Sequence, residues 1–373
     1  MKTLIINLLK LFLNILYSFM KMGKTNENRV LFISRQSDKL TEDFRMVQEK
    51  LLEIKPDAEI ITICHYAKGL EGDKLGFAKA ILKSMKYLAT SKVCVLDAYW
   101  PAVSLLNHKK DLTVIQMWHA LGKIKQSGWQ TLGKESGRDR KSAELLNMHK
   151  GYDYIIAGGK AWNPFYCLSF NTTEDKLVNC GLPRIDKLID KASENKDRVM
   201  KAYPELAGRK IVVYAPTFRR NIELNWENLV NEVTGRGAVL IVKAHPNQKI
   251  EITDEMRKRG VYDCPEFSSV DMLSSADYLV TDYSAIAVEG AVLGVRTLYF
   301  VYDFDEYREK NGMNINLFDE MPGCVFKDAA SIGRIIEKDE YERESLRNYQ
   351  KKFLPDELGT STVKIAKLIK DNM

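Results

Sequence analysis

Four short stretches of this sequence gather side chains that bind phosphate or move a proton. In Thr281-Asp282-Tyr283-Ser284-Ala285-Ile286-Ala287-Val288-Glu289-Gly290, a polar turn opens into small residues that suit a helix. The unsatisfied N–H groups and partial positive charge of a helix start favour a phosphate. Thr281, Asp282 and Ser284 fall at that turn, and Glu289 follows where a carboxylate can reach ribose hydroxyls. The plainer reading is that Asp282 and Ser284 only cap the helix. In Lys243-Ala244-His245-Pro246-Asn247, the proline stiffens a turn that presents His245 to a diphosphate, although a lone histidine is more often structural. Tyr214-Ala215-Pro216-Thr217-Phe218-Arg219-Arg220 offers Thr217 and Arg219 as phosphate donors, or else is a solvated basic turn. The fourth stretch runs from Gln116 to Lys125 and contains Trp118-His119 and two lysines. A hydroxyl attacking phosphorus must lose its proton, and an imidazole titrating near neutrality suits that task, so His119 reads as a general base. Lys123 and Lys125 would then neutralise phosphate on the acceptor. The alternative is a buried histidine beside Trp118 with two solvated lysines.

Each stretch follows a short apolar run. Runs at 30–33, 60–63, 93–97, 113–117 and 154–157 fill the first half, and runs at 210–214, 239–243, 278–281 and 297–301 fill the second. Apolar runs of this length between turn signals read as strands buried on both faces, and helix-prone segments alternate with them. That alternation predicts an α/β fold with parallel sheets, whose ligands bind beyond the carboxyl ends of the strands. The expected division is an amphipathic helix at 1–26, an N-terminal Rossmann-like acceptor domain at 27–195 and a C-terminal Rossmann-like donor domain at 196–345. A final helix at 346–373 is expected to pack back, with the two domains facing each other across a cleft.

Length supports two domains: 373 residues exceed what one core comfortably holds. A net charge of +6, from 56 basic and 50 acidic residues, is too small an excess to suggest a nucleic-acid partner. The six cysteines are scattered without metal-ligand spacing and read as reduced thiols of a cytosolic compartment. No carboxylate cluster has metal-ligand spacing either, so no tightly bound cofactor or metal is expected; a magnesium ion carried loosely on a donor stays compatible.

The start of the chain differs from the rest. Residues 1–26 hold Lys2, Lys10, Lys21 and Lys24 and no acidic side chain. Thr3, Asn7, Lys10, Asn14, Ser18 and Lys21 recur every three or four residues, forming a narrow polar stripe on an apolar helix. That pattern suits a helix lying in the headgroup layer, with lysines reaching anionic phosphates, better than one that spans the bilayer. A spanning anchor and an ordinary packed helix are the alternatives, and no small-residue cleavage site follows the apolar core.

The motifs come in a recognisable order: Trp118-His119-Ala120-x-Gly122-x-x-Lys125, then Gly181-Leu182-Pro183-Arg184-x-Asp186, then Tyr214-Ala215-Pro216-Thr217-Phe218-Arg219. His245-Pro246, Thr281-Asp282-Tyr283-Ser284 and Tyr302-Asp303-x-x-x-Tyr307 complete the series. The series resembles the CDP-glycerol glycerophosphotransferase family, which builds teichoic-acid-type polymers on a lipid carrier. The resemblance implies a two-domain GT-B type fold and a CDP-glycerol or CDP-ribitol donor held by the C-terminal half, with CMP as product. It implies a general-base role for His119 and donor-phosphate contacts from His245, Thr281, Ser284 and Arg219. It also implies an undecaprenyl-linked saccharide acceptor, and a peripheral location on the cytoplasmic face of the cell membrane. Two departures stand out: Asn311-Gly312 where many relatives carry Arg-Gly, and Ile185 where relatives often carry Asn.

The expected reaction is transfer of a polyol phosphate, glycerol phosphate first, from a CDP-activated donor to an acceptor hydroxyl in wall-polymer synthesis. Positioning and charge neutralisation would supply most of the acceleration. The rival readings are a ribitol-phosphate transferase, a nucleotide-sugar glycosyltransferase or epimerase of the same fold, and a noncatalytic membrane scaffold.

Overall fold

The computed structural model describes residues 2–66, 73–135, 137–217, 226–244 and 250–373. The chain divides into two compact units. The first comprises Met1–Ala120, Gln126–Asp186 and Pro355–Met373, and the second Leu121–Lys125 and Lys187–Leu354. The division falls at Asp186/Lys187, before the break expected at 195/196, and the chain re-enters the first unit only at Pro355.

The first unit is built on a parallel sheet of six strands: β1 (Asn26–Ser34), β2 (Glu59–Cys64), β3 (Ser91–Leu96), β4 (Thr113–Gln116), β5 (Tyr154–Ala157) and β6 (Leu177–Asn179). Their spatial order is β2-β1-β3-β4-β5-β6. The second unit repeats the plan with β7 (Ile211–Tyr214), β8 (Val239–Val242), β9 (Val261–Tyr262), β10 (Tyr278–Thr281), β11 (Arg296–Phe300) and β12 (Val325–Phe326). These are ordered β12-β11-β10-β7-β8-β9. Every residue of β7, β8 and β10 is buried, as expected where helices cover both faces of a parallel sheet. Three strands escape the sequence reading: β6, β9 and β12 hold only two or three residues each and sit at sheet edges, too short for an apolar run.

Strand order reverses once in each sheet, between β1 and β3 and between β7 and β10. At such a switch point the following connections leave in opposite directions and open a crevice beyond the carboxyl ends. Asp97 follows β3, and the 215–217 and 282–284 turns follow β7 and β10, so candidate residues of both halves stand at the two switch points.

The last helix, Ser361–Asp371, lies against the helix Glu42–Ile54 in the first unit. Its start is held by Asp186, which accepts from Ser361 N at 3.1 Å, Thr362 N at 2.7 Å and Thr362 Oγ1 at 2.7 Å. One carboxylate thereby satisfies two of the N–H groups that a helix start leaves open.

The helix Lys2–Met20 docks in a way its sequence pattern does not suggest. Part of the polar stripe turns toward the protein: Asn14 Nδ2 donates to Leu105 O at 3.1 Å, and Asn107 N donates to Asn14 Oδ1 at 2.9 Å. Tyr17 is fully buried, its hydroxyl 2.8 Å from His108 Nδ1, while His108 Nε2 lies 2.8 Å from Val103 O. A carbonyl only accepts, so the proton sits on Nε2 and Nδ1 receives the tyrosine hydroxyl. Leu4, Leu8, Leu11, Phe12, Ile15 and Phe19 are left exposed on the outer face. Polar groups anchor this helix because the neighbouring 105–108 loop presents backbone donors and acceptors that need partners.

Candidate active site

In the first unit the site begins at the end of β4. Gln116 is buried and holds the turn, accepting from Trp118 N at 2.9 Å and donating to Ala98 O at 3.3 Å. Trp118 adopts φ 62°, a left-handed conformation uncommon for a bulky side chain and one that recurs at functional turns. The result swings His119 back over the end of β3, where its Nδ1 lies 2.9 Å from Asp97 O. Since that oxygen can only accept, the ring proton resides on Nδ1 and the basic lone pair on Nε2. The Trp118 indole covers the imidazole at a centroid distance of 4.0 Å.

Asp97 sits at the switch point itself. Its carboxylate accepts from Ser34 Oγ at 2.6 Å and Arg35 N at 3.0 Å, tying β1 to β3. Burial is the main cause that pushes its pKa up to about 6, opposed by those two bonds. Next to it, Asp43 accepts from Arg184 N at 2.7 Å and Nε at 2.8 Å, and also pairs with the Arg184 terminal amine. Asp43, Asp97, His119 and Arg184 border a cavity of about 170 Å³. Trp118 and His119 also border a second cavity of about 250 Å³, together with Tyr99, Arg138 and His149.

In the second unit, Asp282 joins the two strands of the switch point. It accepts from Thr217 N at 2.9 and 3.0 Å, Thr217 Oγ1 at 2.7 Å and Tyr283 N at 2.6 Å. Thr281 is wholly buried and donates to Ala215 O at 2.7 Å. Thr217, Thr281 and Asp282 therefore build the frame of the turn. The helix that follows, Ile286–Val292, has Ala285 at its N-cap, so neither Asp282 nor Ser284 caps it. Ser284 is half-buried just before that helix, and Glu289 within it is 5% exposed. Tyr283 donates to Asp303 Oδ1 at 3.1 Å and stacks on Tyr307 at 3.9 Å, which accounts for the Tyr302-Asp303-x-x-x-Tyr307 series.

The two lysines after His119 depart furthest from expectation. Leu121–Lys125 belongs to the second unit, not to the N-terminal domain in which it was expected. There Asn314 N donates to Ile124 O at 2.9 Å, and Asn314 Nδ2 donates to Lys123 O and Lys125 O at 2.8 and 3.1 Å. Lys123 is only 3% exposed, and burial pushes its pKa down to about 7. Side-chain direction within a short segment of this kind is set by its packing neighbours, which spacing does not reveal.

Arg219 and His245 lie outside the described residues. The strand end that leads to His245 is anchored by Lys243, whose ammonium donates to Asp263 O, Cys264 O and Phe267 O at 2.9, 3.1 and 2.6 Å. Sequence reasoning passed over Asp97, the Asp43–Arg184 pair, Arg35, Arg138 and His149. Asp97 had a signal, a carboxylate ending the apolar run 93–96, and Arg184 stood in the quoted motif series without its partner; the others come together only through the fold.

The profile of the CDP-Glycerol:Poly(glycerophosphate) glycerophosphotransferase family matches residues 15–371. The chain belongs to that family. Among relatives, the teichoic acid poly(ribitol-phosphate) polymerase of Bacillus spizizenii is 26% identical over 94% of this chain. This chain spans 57% of that relative's length. The teichoic acid glycerol-phosphate primase of Bacillus subtilis is 28% identical over 68% of this chain and 66% of its own length. A solved structure of the wall teichoic acid polymerase TagF, a variant soaked with CDPG, superposes with TM-score 0.75 at 18% identity, covering 100% of this chain and 98% of that one. The family's fold, two parallel α/β sheets of GT-B type, is therefore the fold of this protein.

Proposed function

We propose that this protein transfers a polyol phosphate from a CDP-polyol to an acceptor hydroxyl in teichoic-acid-type polymer synthesis. The observation that carries the proposal is the tautomer of His119. With Nδ1 donating to Asp97 O, Nε2 is the atom that takes the acceptor's proton. The acceptor oxygen forms a bond to the donor's β-phosphorus as the bond from that phosphorus to the CMP oxygen breaks, and CMP leaves. The turn after β10, together with Arg219 and His245, is assigned to the donor phosphates. The family description and the CDPG-soaked TagF support a CDP-activated donor.

Glycerol phosphate is the unit proposed first, on the family description. Ribitol phosphate is the second reading, favoured by the ribitol-phosphate polymerase aligning over 94% of the chain against 68% for the glycerol-phosphate primase. The exposed apolar face of Lys2–Met20 supports a peripheral place on the cytoplasmic membrane surface, where a lipid-linked acceptor is met.

The test is CMP release by the purified protein given CDP-glycerol or CDP-ribitol and a lipid-linked primed acceptor, alongside His119→Asn. Release with one donor, lowered at least about 100-fold in the variant, supports the proposal and names the polyol. Consumption of a UDP- or GDP-sugar, with neither CDP-polyol used, would point to the glycosyltransferase reading instead.

A further inference from the structure

The cavity of about 250 Å³ in the first unit carries charge that the transfer step above leaves unused. Trp118, His119, Tyr99 and His149 border it, and exposed Arg138 stands at its margin. A second guanidinium comes to the same tyrosine: Arg35 donates to Tyr99 O at 3.4 Å, and the Arg138 guanidinium lies 5.3 Å from the Tyr99 ring centroid. Among the described residues neither arginine pairs with a carboxylate. The neighbouring acids are engaged elsewhere. Asp97 takes Ser34 Oγ and the Arg35 backbone, and Asp139 takes Ser142 N and Oγ at 2.9 Å each. Burial, and next the Arg138 charge, hold the Arg35 guanidinium below its ordinary pKa. Two cations held near one another in a partly buried site repel, and an anion between them would relieve that repulsion.

We propose that Arg35 and Arg138 bind a phosphodiester of the acceptor, one unit back from the hydroxyl that His119 deprotonates. The inference rests on the polyol-phosphate transfer proposed above. Trp118 and Tyr99 supply flat apolar surface for the carbon skeleton between the two groups. The chemistry selects an acceptor whose end already carries a polyol phosphate over one that ends in an uncharged glycoside. Guanidinium forks suit this task because they meet phosphate oxygens in pairs at fixed geometry.

The experiment has a binding arm and a kinetic arm, both on the full chain. Binding of glycerophosphoglycerol, a methyl glycoside and a sugar diphosphate is measured by calorimetry for the wild type, Arg138→Gln and Arg35→Gln. The phosphodiester probe is expected to bind the wild type and to weaken at least about tenfold in each variant, the loss typical of a charge-assisted bond. In the kinetic arm, KM for a polyol-phosphate-ended acceptor should rise in step while kcat stays within about threefold. The neutral acceptor should be unaffected. Arg138 is exposed, so its variant tests the site without disturbing the core. Failure of the wild type to bind the probe, or unchanged binding in both variants, overturns the inference. Binding of the sugar diphosphate in place of the phosphodiester overturns it too, since the anion would then be the carrier linkage. CMP release with unchanged probe binding rejects this site alone. Absence of CMP release alongside weakened probe binding rejects the transfer reading and keeps the anion site.

Discussion

Replacing Asp97 by Asn tests whether the switch point of the first sheet holds a carboxyl under strain from burial. Asn is isosteric and can keep both contacts, its oxygen accepting from Arg35 N and its amide donating to Ser34 Oγ. The His119 anchor is a backbone carbonyl and is unaffected. What changes is the charge. The folded pKa of Asp97 is about 6, against an ordinary 3.8. Below the unfolded pKa both states hold the proton and the site contributes no difference. Between the two values the native state keeps a proton that the unfolded state releases, so stability falls as pH rises through that window. Integrating the linkage gives a cost of about 1.6 kcal/mol at pH 5 and about 3 kcal/mol at pH 8. Asp97→Asn should therefore stabilise the protein by about that much, with the gain growing by about 1.4 kcal/mol between pH 5 and pH 8. Urea unfolding followed by tryptophan fluorescence reads it well, because Trp100, Trp118, Trp129 and Trp162 lie in the first unit and Trp226 alone in the second. A difference between variant and wild type that stays flat within about 0.5 kcal/mol from pH 5 to pH 8 would refute the reasoning.

Other consequences follow from the same geometry. Lys243→Met should cost about 2 kcal/mol by stripping a charged donor from three carbonyls, and should slow CMP release through the strand end leading to His245; an unchanged urea midpoint would show that those bonds contribute nothing. The double substitution Leu8→Glu with Phe12→Glu should lower partition onto anionic vesicles at least tenfold, since both side chains are more than half exposed. Unaltered co-sedimentation would show that this face does not meet lipid. Chelation with EDTA should lower CMP release less than about threefold, with charge neutralisation assigned to the protein's own donors. A loss beyond 100-fold, restored by magnesium, would put an ion into the step.

Much of the fold could be read from the chain because strands buried on both faces must be apolar along their whole length. That requirement produced the runs at 154–157 and 278–281, which coincide with β5 and β10. The short edge strands carry no such requirement, and their backbone pairing alone defines them. The same contrast holds at the site. His119 was legible as a post-strand histidine, but which of its ring nitrogens holds the proton depends on a carbonyl 22 positions earlier in the chain.

The sequence by itself determined the alternation of elements, the family and the post-strand turns that gather the candidate residues, because these depend on local composition and order. Only the tertiary structure decided which side chains face a cavity and which face the core. Thr281, Asp282 and Lys123 look like ligands in the sequence, yet the packed chain buries all three. Asp97 and Arg35 lie far apart in sequence and meet because strand order reverses between β1 and β3, and Arg138 reaches the same corner through the Tyr99 ring. Chain order carries no direct record of that reversal, since it is set by which apolar faces pack together over long separations.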